Sequence, residues 1–246
     1  MKKSDLQEKL YHFPYHHIPH LDSQGNGLRH RELAWGYEYL CYQHHIKNLI
    51  SGLNPFSVLD LGCGDGHLLG ILPGTIKRRV GVDFSESAIR FARAFHPEVE
   101  FQTETSPLGD EKFDVVTAVE VLEHIPDRGR EEFLREIVSH CRPGGHALLC
   151  VPTEKVPLPG KHYRHYGLKT LTGLLSAAGI PGRIARVDYV YRESWLVKSY
   201  LKLTLNRLWT AEIRPLRRWI WKHIWEKMRI ANEKDGRRLV LLLAVR

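Results

Sequence analysis

The chain has 246 residues, of which 43% are hydrophobic, enough to bury a core and to exclude global disorder. Its four cysteines (Cys41, Cys63, Cys141, Cys150) form no Cys-x-x-Cys pair, which disfavours a disulfide framework or zinc knuckle and suits reduced thiols in a cytoplasmic protein. The net charge is +8, and residues 192–238 alone hold 13 lysines and arginines against 5 acids, so the whole excess lies in one segment. The opening MKKSDLQEKLYHF lacks the apolar centre of a signal peptide, and no run of about 18 uncharged apolar residues would span a bilayer.

In chain order, residues 1–54 are a His- and Tyr-rich lead, expected to form a helical cap that ends in a helix around 31–52. From residue 55, strand and helix patterns alternate. FSVLDLG (56–62) reads as a buried strand, followed by a glycine-rich turn and HLLGIL (67–72) in helical register. RRVGVDFS (78–85) is the second strand, and Ser85 caps the helix SESAIRFARAF with Glu86 in its first turn. VEFQTE (99–104) and FDVVTAVEVL (113–122) supply the third and fourth strands, and the amphipathic EEFLREIVSHC (131–141) stops at RPGG. HALLCVP (146–152) is the fifth strand, and LKTLTGLLSAAG (168–179) is a helix closed by Gly179. RIARVDYVY (183–191) and RLVLLLAVR (238–246) complete the strands. Strands separated by helices predict an α/β fold, a parallel sheet with helices on both faces. Residues 55–191 and 238–246 then form the core, and the basic, Trp-rich 192–237 is an insertion between the last two strands.

The turn after the first strand reads Asp60-Leu61-Gly62-Cys63-Gly64-Asp65-Gly66. Alternate glycines let the backbone turn tightly and approach a ligand, and the helix N-terminus behind them presents N–H groups. Asp83, at the end of the second strand, lies where a carboxylate can accept from two ribose hydroxyls. A dinucleotide fingerprint would require glycine where His67 stands, so nicotinamide binding is disfavoured.

Together with GVDFS, FDVVTAVEVLEHIPD and CRPGGHALLCVP, this turn resembles the class I S-adenosylmethionine-dependent methyltransferases. Within them it is most similar to the small-molecule group that includes the ubiquinone-pathway O-methyltransferases. The resemblance implies a Rossmann-like, doubly wound, seven-stranded sheet with an antiparallel last strand, and S-adenosyl-L-methionine as cofactor. It also implies that Gly62, Gly64 and Gly66 pass the methionine part, that Asp60 supports the loop, that Asp83 binds the ribose and that Phe84 flanks the adenine. Glu104 or Thr105, in QTETSP, stands where the family has an acidic reader of the adenine amino group, and Glu120 is expected to border the cofactor.

Methyl transfer is an in-line displacement in which alignment contributes ~7–11 kcal/mol, and a hydroxyl acceptor also needs a base. EVLEH and KHYRHY follow the fourth and fifth strands, at the sheet edge where ligands collect in open α/β folds. His124 and His162 are the candidate bases by position, with Glu123 beside them. Glu120, Glu123 and His124 also offer two carboxylates and an imidazole on one helical turn, with His162 to complete a divalent-cation site. That set resembles the pattern of RNA-end 2′-O-methyltransferases; a purely structural brace is the alternative. Tyr11, Tyr15, His16 and Trp35 are candidates for the acceptor pocket.

The insertion predicts two helices. In 194–209, Val197, Leu201, Leu205 and Leu208 share a stripe; after Pro215, Ile220, Trp221, Ile224, Trp225 and Met228 share another. Such stripes serve packing on the domain, a homodimer contact or a membrane-surface dock, while tryptophan on an apolar face disfavours nucleic acid. The expectation is a cytoplasmic enzyme, peripheral if the insertion docks on a membrane, that methylates a hydroxyl of a sugar, quinone-like or lipid-linked small molecule. The competing expectations are a metal-assisted RNA 2′-O-methyltransferase and a non-catalytic cofactor-binding assembly subunit.

Overall fold

The computed structural model describes residues 20–21, 27–28, 33–180, 182–206, 208–209, 211 and 213–245. Tyr11, Tyr15 and His16 lie outside the described residues, as does the side chain of Trp35. Besides a two-stranded antiparallel ribbon of His20–Leu21 with Gly27–Leu28, the strands are β1 (Ser57–Leu61), β2 (Arg78–Val82), β3 (Glu100–Gln102), β4 (Phe113–Val119), β5 (Cys141–Pro152), β6 (Gly182–Val190), β7 (Ile230–Ala231) and β8 (Arg238–Val245). They form one sheet in the order β3-β2-β1-β4-β5-β8-β6-β7. The first five pair in parallel, and β8 runs antiparallel between β5 and β6. The seven expected strands are therefore joined by an eighth, the two-residue β7, which the insertion adds to the outer edge of β6.

The helices are α1 (Leu33–Gly52), α2 (His67–Ile71), α3 (Glu86–Phe95), α4 (Arg130–Ser139), α5 (Leu168–Ala177), α6 (Trp195–Thr204) and α7 (Arg214–His223), the last continued by a π-turn over Ile224–Met228. Ser85 caps α3 by accepting from the Ala88 amide at 3.2 Å. Gly179, at φ +68°, closes the α5 end as its position after the apolar pattern predicts.

Alternation along the strands divides the core in two. Val58, Val115, Leu148, Cys150, Val240 and Leu242 face the layer of α1, α2, α3 and the insertion helices. Leu59, Val116, Leu149, Val151, Leu239 and Leu241 face α4 and α5. In α1, Tyr37, Cys41, Ile46 and Ile50 recur at helical spacing on the buried side, and they meet Ile220, Ile224 and Met228 of the α7 segment.

The first insertion helix ends earlier than its apolar stripe predicts. It stops at Thr204, Leu205 is extended, and Leu208 is exposed. The Asn206 carboxamide oxygen accepts from the Leu208 and Trp209 amides, a local turn that competes with helical hydrogen bonds. The buried side of α6 is accordingly Val197, Tyr200 and Thr204.

Candidate active site

The glycine turn closes onto the sheet through two backbone bonds, from the Gly62 and Cys63 amides to the Val82 carbonyl, at 2.7 and 3.0 Å. Gly62, Gly64 and Gly66 sit at φ +80°, +56° and +76°, the left-handed region where a side chain is strained. A Cβ on Gly62 would also lie 2.3 Å from a Val121 methyl, and one on Gly66 would lie 2.5 Å from the Phe101 ring. The turn is thus a tight backbone cradle at the carboxyl edge of β1.

Two carboxylates brace it. Asp83 accepts from the Gly64 amide and from the Ser85 amide, both at 2.9 Å. A carboxylate oxygen can accept more than one hydrogen bond, so the group is chemically suited to hydroxyls of a ligand as well. Asp60 is buried at the end of β1, where it accepts from the Thr117 hydroxyl at 2.6 Å. Burial pushes its carboxyl up to about 7; the Thr117 bond opposes this and the Asp83 charge adds to it. Next to Asp83 the Phe84 ring is 67% exposed, an apolar plate beside a polar strand end. Thr105 turns away from this region and donates to Glu136 at 2.8 Å, whereas Glu104 is exposed.

The second half of the site comes from the segments after β4 and β5. Hydrogen bonds sew them together: the Tyr163 amide donates to the Glu123 carbonyl at 2.7 Å, and the Tyr166 amide to the Pro152 carbonyl at 3.0 Å. This brings the rings of His124 and His162 to a 4.5 Å centroid distance, edge to face. Ligand atoms of Glu123, His124 and His162 all lie within 4.8 Å of one another.

The tautomers follow from the neighbours. A backbone carbonyl only accepts, so His165 Nδ1, 2.9 Å from the Val156 carbonyl, must donate. Neutral His165 then presents an Nε2 lone pair to His162 Nδ1 at 2.7 Å, so His162 also carries its proton on Nδ1. His124 Nδ1 faces the Lys161 carbonyl at 3.3 Å and is protonated for the same reason. Both His124 and His162 consequently hold lone pairs on Nε2. Burial first, and then the neighbouring His124, Lys161 and Arg238, push the His162 imidazole down to about 2, and burial lowers His165 as well.

Glu123 is 0% exposed, and neither carboxylate oxygen has a hydrogen-bond partner among the described residues. His124 Nε2 stands 3.9 Å from its Oε1, beyond hydrogen-bonding distance. Burial and the Glu120 charge hold the Glu123 carboxyl well above the usual carboxylate range.

Glu120 does not join this cluster on a helical turn as its spacing predicts. It leaves β4 at φ +59°, and its carboxylate pairs with Arg238 Nε at 2.8 Å. The backbone reversal precedes the 3₁₀ turn Leu122–His124 and takes Glu120 off the Glu123–His124 turn. Arg238 also binds Glu38 of α1 at 2.7 Å and lies over the Tyr42 ring at 5.6 Å, and Arg237 reaches Glu38 at 3.2 Å. Burial works against the Arg238 charge, but Glu120 and Glu38 outweigh it and keep the guanidinium protonated. Glu38, Arg238 and Thr117 act through partners between 57 and 200 positions away, and His165 acts inside a loop, so no local spacing marks their roles. The sole signal for His165 is its place in KHYRHY, one helical turn after His162.

With this geometry in hand, the relatives can be compared. Residues 28–186, well over half of the chain, match the family described as a methyltransferase domain. A probable S-adenosylmethionine-dependent methyltransferase of Mycobacterium tuberculosis is 31% identical over 172 residues, covering 66% of this chain and 58% of the relative. One from Mycolicibacterium smegmatis is 32% identical over 132 residues, 50% of this chain and 51% of the relative. The chain thus spans between half and three-fifths of the length of these curated relatives. A ubiquinone biosynthesis O-methyltransferase of Alkalilimnicola ehrlichii is 29% identical over 112 residues, 42% of this chain and 44% of the relative. Among solved structures, magnesium protoporphyrin IX methyltransferase from Synechocystis, with bound S-adenosylmethionine, superposes with a TM-score of 0.59 at 14% identity, covering 100% of this chain and 98% of that one. At that identity the likeness concerns the fold alone. The glycine cradle, the strand-end Asp83, the sheet order and the matched domain together mean that the chain belongs to the class I S-adenosylmethionine-dependent methyltransferases.

Proposed function

We propose that this protein methylates a hydroxyl of a small molecule, with His162 as the general base. The cofactor is S-adenosylmethionine, and the residues fit it: a backbone cradle at Gly62–Gly66 for the methionine part, Asp83 for the ribose and the exposed Phe84 for the adenine. Asp60 holds the cradle through Thr117, and Glu104 is the carboxylate available to the adenine amino group. Bound there, the cofactor supplies a methyl group on a sulfonium, an electrophile that needs no further activation. The chain must add alignment and a destination for the acceptor proton.

The observation that carries the base assignment is the His162–His165–Val156 chain, which puts the lone pair of a neutral imidazole on Nε2 beside the carboxyl edge of β4 and β5. Held at about 2, the imidazole is neutral at physiological pH but a weak base, so it takes the proton late, when attack on the methyl has made the hydroxyl strongly acidic. The likeness to ubiquinone-pathway O-methyltransferases supports an oxygen acceptor, of the sugar, quinone-like or lipid-linked kind. The test uses methyl-labelled cofactor with a panel of hydroxyl and amine acceptors. His162→Ala should retain cofactor affinity and lose ~10²–10⁴-fold in transfer to oxygen. Transfer to oxygen at the wild-type rate in that variant would remove the base role.

One observation favours a second reading of the same cluster. A buried carboxylate without hydrogen-bond partners needs a proton or a cation, and the imidazoles beside Glu123 face it with lone pairs rather than hydrogens. Glu123, His124 and His162 would then hold a divalent cation that orients and acidifies the acceptor hydroxyl, while Glu120 stays with Arg238. Magnesium or manganese should raise the unfolding temperature of the wild type and not of Glu123→Gln. An equal rise in both would end this reading.

A further inference from the structure

The insertion divides its large apolar side chains into two sets. One turns inward: the Trp221 ring stacks on Tyr37 at 5.8 Å and Trp225 meets His44 at 5.9 Å, beside the buried Ile220, Ile224 and Met228. These residues cover α1 and are committed to the fold. The other set faces out: Trp195, Leu203, Leu208, Trp209, Ile213 and Trp219 are each between 52% and 83% exposed. Leu208, expected on the apolar stripe of the first helix, is therefore exposed, and Trp219 lies on the basic side of α7, as the helical spacing predicts.

The outward set is built rather than scattered. Trp209 Nε1 donates to the Leu203 carbonyl at 2.8 Å, and the Ala211 amide donates to the Thr204 carbonyl at 2.8 Å. With the Asn206 turn, these bonds hold Leu203, Leu208 and Trp209 together after α6. Cations alternate with the apolar groups. On α6 the exposed face carries Trp195, Lys198, Lys202 and Leu203; on α7 it carries Arg218, Trp219 and Lys222. Residues 192–238 supply the whole net charge of the chain.

We infer that the α6–α7 connection is a docking surface for an anionic lipid bilayer. Exposed tryptophan and leucine among lysine and arginine is the composition that enters the headgroup boundary, apolar groups inserted and cations held at the lipid phosphates. A second copy of this chain fits less well, because the face keeps a positive surplus in Lys202 and Arg218 after Lys198 and Lys222 pair with Glu193 and Glu226, and two such faces would repel. The insertion also begins and ends next to the site. Arg238 pairs with both Pro152 and Val190, so the insertion leaves and rejoins the sheet at the carboxyl edge that holds His162. If the methyl-transfer proposal holds, docking delivers that edge to an acceptor lying in the lipid surface; the docking itself does not depend on that proposal.

The experiment is vesicle co-sedimentation of the full chain, with phosphatidylcholine vesicles compared with vesicles also containing phosphatidylglycerol. The wild type should bind the anionic vesicles at least tenfold more tightly, and added salt should weaken that binding. The double variant Leu208→Ser/Trp209→Ser should bind at least tenfold more weakly while keeping the wild-type unfolding temperature and cofactor affinity. Lys202→Glu/Arg218→Glu should lose the preference for anionic lipid. Absence of wild-type binding to anionic vesicles, or unchanged binding by the double variant, would overturn the inference. So would a wild-type dimer in sedimentation velocity that the double variant abolishes without any vesicle binding, which would assign the surface to a second copy.

Discussion

The two halves of the site are built in opposite ways. The cofactor half, from Asp60 to Phe84, lies within one strand–turn–helix–strand stretch, and its bonds are mostly between backbone groups and a neighbouring strand end. The half proposed for the acceptor gathers Glu38 from α1, Glu123 and His124 after β4, His162 and His165 after β5, and Arg238 from β8, with Glu120, expected to border the cofactor, paired to Arg238. A local backbone cradle is fixed by glycine placement and tolerates little. A side-chain assembly drawn from four segments can change its members while the sheet stays the same, which is how one fold takes many acceptors.

That contrast can be broken first at Arg238. Arg238→Leu leaves the half-buried Glu120 without its cation and Glu38 with Arg237 alone, so urea unfolding should report a loss of about 3 kcal/mol. The loss should fall on the acceptor half, with cofactor affinity in calorimetry nearly unchanged. Equal damage to both functions would mean that the halves are not separable.

His165 sharpens the same division more gently. His165→Phe removes the acceptor for His162 Nδ1 and so its fixed tautomer. The expected result is a loss of about tenfold in kcat with little change in KM, by analogy with residues that orient a reacting imidazole. His165→Gln, which keeps an acceptor, should recover part of it. A kcat indifferent to both substitutions would make His165 a packing residue.

A pH dependence tests the cofactor half by itself. The Asp60 carboxyl sits at about 7 in the folded protein, against about 3.9 unfolded. Between these values the folded state holds a proton that the unfolded state releases. The contribution is therefore complete below pH ~4 and is lost as pH rises towards 7. Asp60→Asn cannot titrate, so its stability relative to wild type should improve as pH rises across that window. A constant difference from pH 4 to 7 would contradict the burial argument.

The sequence exposed the two halves unequally for physical reasons. Period-two apolar runs, the Ser85 cap and Gly179 are local signals, and the β1–β6 and β8 strands and α3 and α5 all appear close to where those signals put them. The cradle was equally legible, since only glycine occupies those φ values with Val121 and Phe101 so near. Spacing misled at Glu120, where a left-handed residue breaks the assumed helical turn, and at α6, where Asn206 diverts the chain. Arg238 and Glu38 were invisible because nothing local marks a buried pair formed between the N-terminal helix and the last strand.

Calorimetric titration of S-adenosylmethionine into wild type and Asp83→Ala tests the central claim most directly, because it needs no acceptor. Asp83 braces the Gly64 amide and is the side chain proposed to bind the ribose. Binding in the wild type and at least a hundredfold weaker binding in a variant that remains folded is the predicted result. Wild-type affinity in Asp83→Ala would contradict the assignment of this cradle as the cofactor site.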